Sequence, residues 1–163
     1  MTTASGDESY AFEIVLHGRP DGTLPPAGLH VDAWGEWPTR AAPPLQLARP
    51  MTGGFDEAFA RLGDLPRMFV EPDGSFVWTS PTEAPWWQVD GNAVEKDGRV
   101  LLVELKGSCP RSAFDRLLAA FGWPGQAMLV QLLRAAVFLD EPTFRRHAAC
   151  RGNAGDGLTL RPR

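Results

Sequence analysis

Apolar positions recur every second residue in several short stretches of the first two thirds of the chain, and the spacing changes to a helical one beyond Gly107. Tyr10 to Leu16 predicts a first strand, and Leu29, Val31 and Ala33 alternate with His30, Asp32 and Trp34 in a second. Proline- and glycine-rich loops are expected over 18–28 and 38–54. Phe55, Phe59 and Leu62 stand at helical spacing between Gly54 and Gly63, which predicts a short helix. Met68 to Glu71 and Ser75 to Thr79 flank Pro72-Asp73-Gly74, the composition of a type I turn closed by a glycine bulge. A second hairpin, residues 87–94 and 99–106, surrounds Lys96-Asp97-Gly98.

In the C-terminal third, Phe114, Leu117, Leu118 and Phe121 predict a helix over 111–121, with Pro110 at its first turn and Ser108 or Cys109 as cap. Gly122-Trp123-Pro124-Gly125 ends it. The apolar run from Gln126 to Leu139, interrupted only by Gln131 and Arg134, predicts a second helix buried on most sides, and a third is expected over 142–149. Strands first and helices last imply an α+β domain: a mainly antiparallel sheet of four to six strands built from hairpins, with the C-terminal helices packed on one face. The expected organisation is a flexible leader over 1–9, one globular domain over 10–150 and a flexible tail over 151–163.

The second hairpin carries the strongest chemical signal. A two-residue Asp97-Gly98 turn pairs Lys96 with Arg99 and sets Asp90 on the opposite face from Glu104 and Lys106. A three-residue loop with Gly98 as bulge pairs Glu95 with Arg99 and sets Asp90 opposite Glu104. The second register is preferred, because it gathers Trp87, Val89, Ala93, Leu101, Val103 and Leu105 on one face and Gln88, Asp90, Asn92, Glu104 and Lys106 on the other.

An Asp on one strand and Glu-x-Lys on the next (Asp90, then Glu104-Leu105-Lys106), followed by an amphipathic helix and a downstream Gln, resembles the core of the PD-(D/E)xK nucleases, particularly their RecB-like branch. The resemblance implies Asp90 and Glu104 as ligands of Mg²⁺ or Mn²⁺, Lys106 as the group that positions water, and Gln126 or Gln131 as the helical Gln. It implies hydrolysis of phosphodiester bonds, with nucleic acid as partner and Arg111 or Arg134 receiving phosphate. The alternative for these same residues is the solvated face of an ordinary hairpin.

Charge bears on that choice: 16 Lys and Arg against 20 Asp and Glu leave a net charge of −4, which repels a polyanion unless the basic residues cluster. No apolar run reaches membrane-spanning length, the polar start lacks the features of a signal peptide, and Cys109 and Cys150 are read as reduced; a cytoplasmic protein without membrane contact is expected. Cys109 reads as a small core residue rather than a nucleophile, and His30 and Asp32, with His17, as surface polarity rather than metal ligands. Of six tryptophans, Trp34, Trp37, Trp86, Trp87 and Trp123 fall in or beside loops, where large aromatics anchor interfaces. The leading expectation is therefore an interaction module without catalytic activity or cofactor, binding itself or a protein partner, with a metal-dependent nuclease as the alternative.

Overall fold

The computed structural model describes residues 7–155. Nine strands form one antiparallel sheet: β1 (Ser9–Gly18), β2 (Pro26–Asp32), β3 (Gly35–Arg40), β4 (Met68–Val70), β5 (Ser75–Thr79), β6 (Gln88–Lys96), β7 (Arg99–Pro110), β8 (Met128–Leu132) and β9 (Val137–Asp140), in spatial order β2-β3-β9-β8-β1-β7-β6-β5-β4. The helices are α1 (Pro44–Leu47), α2 (Phe55–Gly63), α3 (Arg111–Ala120) and α4 (Glu141–Asn153). The α+β class stands, and the sheet is larger than the four to six strands expected. The leader and tail expected over 1–9 and 151–163 fall largely outside the described residues; within them, β1 starts at Ser9 and α4 continues to Asn153.

β1 lies fifth of the nine, between β8 and β7. Its even-numbered residues Tyr10, Phe12, Ile14 and Leu16 are all buried on the helix-covered face, where Phe12 and Tyr10 meet Phe114 of α3 edge-on at 5.2 and 5.6 Å. Phe144 of α4 joins the same cluster 5.4 Å from Phe114. Four large side chains at period two, met by one aromatic from each of two helices, supply the driving force for closing the two layers, roughly 1.5–3 kcal/mol per fully buried side chain. Arg145, one residue further along α4, ties the two helices together through Asp115 of α3 at 2.6 Å and is held within its own helix by Glu141, also at 2.6 Å.

The run from Gln126 to Leu139 is not a helix. Met128–Leu132 and Val137–Asp140 form the hairpin β8–β9, joined by Leu133-Arg134-Ala135-Ala136, with Ala136 in a left-handed conformation at φ 55°. The uninterrupted apolar run arises because this hairpin is buried on both sides in part: Met128, Val130 and Leu132 face the helices, while Leu129, on the opposite face, is fully enclosed. The third expected helix, by contrast, is found as α4, longer at both ends than 142–149.

Gly152 marks where α4 comes down on the start of β1: a Cβ built there would lie 1.8 Å from the carbonyl oxygen of Ser9. Only a residue without a side chain allows this approach. Gly152→Ala is expected to push the end of α4 away from β1 and to destabilise the protein by about 1–3 kcal/mol, read as a lowered midpoint in chemical denaturation. An unchanged midpoint would show that the helix end contributes nothing to the fold.

Candidate functional site

The β6–β7 hairpin turns through two residues, Asp97 and Gly98, both left-handed at φ 55° and 77°, so Lys96 pairs with Arg99. This corrects the three-residue loop expected from the sequence. The aspartate tolerates the left-handed region, and the tighter turn matches the twist of the strands. A bulge follows at once: Glu95 pairs with Val100 but Val94 with Leu102, which leaves Leu101 as the extra residue. The bulge restores the expected faces and moves the register, so Asp90 stands opposite Lys106 and Asn92 opposite Glu104, rather than Asp90 opposite Glu104.

Asp90, Glu104 and Lys106 thus share the face of the sheet away from α2, α3 and α4, but each carboxylate is engaged by an amide. Gln88 Nε2 donates to Asp90 Oδ1 at 2.8 Å, and Asn92 Nδ2 donates to Glu104 Oε1 at 3.3 Å. Lys106 Nζ lies 3.9 Å from Oε2 of Glu13, directly across on β1, and Arg134 Nε lies 3.1 Å from the other oxygen. A hollow of about 220 Å³ opens over Asp90, Glu104, Lys106 and Glu13. Of the other nuclease-like candidates, Gln131 is on β8 bonded to His17, and Gln126 is in the preceding loop, where Oε1 accepts from Thr52; neither is on a helix. Among the described residues, no group of three or more His, Cys, Asp or Glu side chains is arranged to hold a metal ion.

Next to this hollow, and sharing Glu13, Lys106 and Leu133 with it, lies a larger cavity of about 630 Å³. It is bounded by the β2–β3 turn, the β8–β9 turn and the C-terminal half of α4. Asp32, the last residue of β2, organises its inner wall. Oδ1 accepts the backbone N–H of Trp34 at 2.9 Å and the indole N–H of Trp37 at 3.0 Å; Oδ2 faces His147 Nε2 at 2.8 Å and His30 Nε2 at 3.3 Å. The first of these is the local Asx geometry that suits Asp at a turn. His147 is almost wholly buried, and the rings of Trp34 and Trp37 meet it edge-on at 5.6 and 5.1 Å. The guanidinium of Arg151, one helical turn further along α4, lies over Trp34 at 4.8 Å.

Burial alone raises the Asp32 carboxyl pKa, but the hydrogen bonds from Trp37, His147 and Trp34 outweigh it and hold the group below its ordinary value. Burial pushes His147 below the ordinary histidine value, against the opposing pull of Asp32. Burial also lowers His17, which sits on the other face of β1; its Nε2 lies 2.9 Å from Gln131 Oε1, while its buried Nδ1 has no hydrogen-bond partner among the described residues. His17 and His30 therefore lie in separate environments and do not join one ligand set.

The remaining tryptophans are distributed between core and surface. Trp37 and Trp87 are buried, Trp87 edge-on to Trp78 at 5.0 Å. Trp123 is half-buried and donates to Glu141 at 3.2 Å, and Trp86 is 46% exposed. Cys109 is fully buried and free, and burial drives its thiol pKa well up, which removes it as a nucleophile at neutral pH. The residue that sequence reasoning missed is His147: its partner Asp32 is 115 positions away, so only the return of α4 across β1 brings the two together. Comparison with protein-family models, curated proteins and solved structures finds no match.

These shifts fix the direction of a pH effect. His17 and His147 both have folded-state values below the ordinary 6.5, so the unfolded chain binds their protons first as pH falls. Their contribution to stability is complete above 6.5 and is lost as pH drops through the lowered folded values. Asp32 adds a further loss as pH falls below its ordinary 3.8 and through its depressed value. The thermal midpoint is expected to fall from pH 7.5 to pH 5.5, and less so in the double variant His17→Gln, His147→Asn. A parent protein as stable at the lower pH would contradict the assignment of neutral buried rings.

Proposed function

We propose that this protein is an interaction module without catalytic activity, which pairs with a second copy of itself through the outer edge of β2. The observation that carries this reading is the exposure of Leu29 and Val31, 62% and 65%, on a strand whose far side has no neighbour among the described residues. The opposite edge of the sheet ends in β4, only three residues long, a length that limits pairing. On β2, Pro26 and the register shift before Leu29 confine regular geometry to Leu29–Asp32. A two-fold axis through His30 sets Leu29 of one copy against Val31 of the other, so the same short segment is self-complementary.

Less supports the nuclease alternative. Each of its two carboxylates is bonded to a neutral amide, and the residue opposite Asp90 is the cation Lys106. Cleavage of single- and double-stranded DNA and RNA with Mg²⁺ or Mn²⁺ is expected to be absent; cleavage that Glu104→Ala and Lys106→Ala abolish would reinstate it.

Light scattering coupled to size exclusion tests the pairing. The parent is expected to run as a concentration-dependent dimer and Val31→Lys as a monomer, because the substitution sets a cation in each copy beside the same short interface. A parent that stays monomeric to millimolar concentration, or a dimer unaffected by Val31→Lys, would overturn the reading.

A further inference from the structure

We propose that the cavity of about 630 Å³ between the β2–β3 turn, the β8–β9 turn and α4 binds a small molecule that carries an oxyanion, carboxylate or phosphate, on an apolar body. The inference is independent of pairing at β2. Its volume lies within the range of small-molecule sites, which join apolar walls to a few converging polar groups. Here the apolar part is Trp34, Leu132, Leu133 and Ala135.

Three fixed cations line the cavity, Lys106, Arg134 and Arg151, against two carboxylates, Glu13 and Asp32. The carboxylates are already engaged from within the protein. Asp32 Oδ1 accepts two hydrogen bonds, and Oδ2 bonds to His147 with His30 Nε2 also within 3.3 Å. Glu13, whose side chain is 14% exposed, is flanked by Lys106 and Arg134, themselves 50% and 87% exposed. The anions are thus drawn inward and matched, whereas Lys106 and Arg134 stand at the solvent side, where an incoming oxyanion meets donors before it meets a carboxylate. A chain of net charge −4 therefore carries at this place a local excess of positive charge, three cations to two anions.

The wall is also built in advance. The Asp32 hydrogen bonds fix the β2–β3 turn to α4 through His147, and Trp34 is held between that ring and the guanidinium of Arg151. A ligand entering here spends little of its binding free energy on ordering the protein. Lys106 and Arg134 would receive the anion, and Trp34 the apolar body.

Titration of the ¹⁵N-labelled 163-residue chain with benzoate and phenyl phosphate, followed by NMR, tests the site, with benzyl alcohol as the neutral counterpart. The expected result is saturable shifts at the Trp34 indole N–H and at the amides of 133–135 and 151 with at least one of the two anions, and none with benzyl alcohol. The tighter of the two identifies the oxyanion class. Lys106→Gln and Arg134→Gln are each expected to weaken binding by about tenfold, the effect of one lost charge-assisted contact. Arg134 lies on an exposed turn, so its variant keeps the test valid even if Lys106→Gln loosens β7. Absence of shifts with both anions, equal shifts with benzyl alcohol, or undiminished binding by both variants would overturn the proposal.

Discussion

The packing of one face of β1 against α3 and α4 is the constraint on which the rest depends. Tyr10, Phe12, Ile14 and Leu16 occupy alternate positions of a single central strand, and Phe114 and Phe144 close over them from two helices. A strand in that position must be bonded on both sides, and β7 and β8 supply the two ladders. The two helices follow β7 and β9 directly, so each hairpin of the C-terminal half delivers one helix to the same face. Gly152 then lets α4 descend onto the start of β1, which sets the depth and direction of that helix. His147 reaches Asp32 only because α4 is held along this path.

The Asp32 cluster is where packing becomes electrostatics. A carboxylate taken from water without partners is costly, and here three hydrogen bonds reach it, two at Oδ1 and one at Oδ2, with His30 Nε2 3.3 Å from Oδ2. Two of these partners, the Trp34 N–H and the Trp37 indole, come from the hairpin itself; His147 comes from a distant helix. Local turn chemistry therefore positions the carboxylate first, and tertiary packing brings the buried imidazole to it. The same arrangement leaves His147 below and Asp32 below their ordinary values, a pair in which the acid is ionised and the ring neutral near pH 7. Its net contribution to stability is that of a well-partnered hydrogen bond to a charge, about 1.5–3 kcal/mol, rather than of an ion pair.

What was legible in the sequence follows from how local each signal is. The Pro72-Asp73-Gly74 turn, α2 and α3 depend on residues within a few positions of one another, and local spacing predicts them with nearly the observed bounds. It does not predict β8 and β9, because an apolar run buried on both sides loses its period, and Leu133-Arg134-Ala135-Ala136 contains neither glycine nor proline to mark a turn. Ala136 takes up a conformation that costs roughly 1–2 kcal/mol, held by its N–H bonding to Leu132 O at 2.9 Å. β3 was hidden by Pro38, a residue that argues against a central strand. β3 and β9 are paired only at Arg40 and Phe138, so the missing N–H of Pro38 interrupts no continuous ladder. Asp90, Glu104 and Lys106 share one face, as their alternation predicts, despite a turn one residue shorter than expected, because the bulge after Val94 compensates for the shorter loop. The groove was visible only as scattered members, His30, Asp32 and Trp34 on one hairpin and Arg134 on a turn, with His147 unconnected to them.

The period of two in β2 divides one short segment between two tasks. Leu29 and Val31 point to the open face, whereas His30 and Asp32 point toward α4. An edge strand is ordinarily the least restrained part of a sheet, since half of its backbone groups have no ladder to hold them. Here the inward side chains supply the missing restraint. Asp32 is fixed by His147 from a helix that itself rests on the central strand, and Thr39 of β3 donates to the carbonyl of Gly28 at 3.0 Å beside the register shift. The strand is therefore presented in a defined position, which lowers the ordering cost of pairing its outer edge and of closing a ligand against the face that carries His30 and Asp32. The two surfaces share that restraint, so loss of the Asp32–His147 contact loosens both together, whereas substitution at Val31 or at Arg134 touches only one.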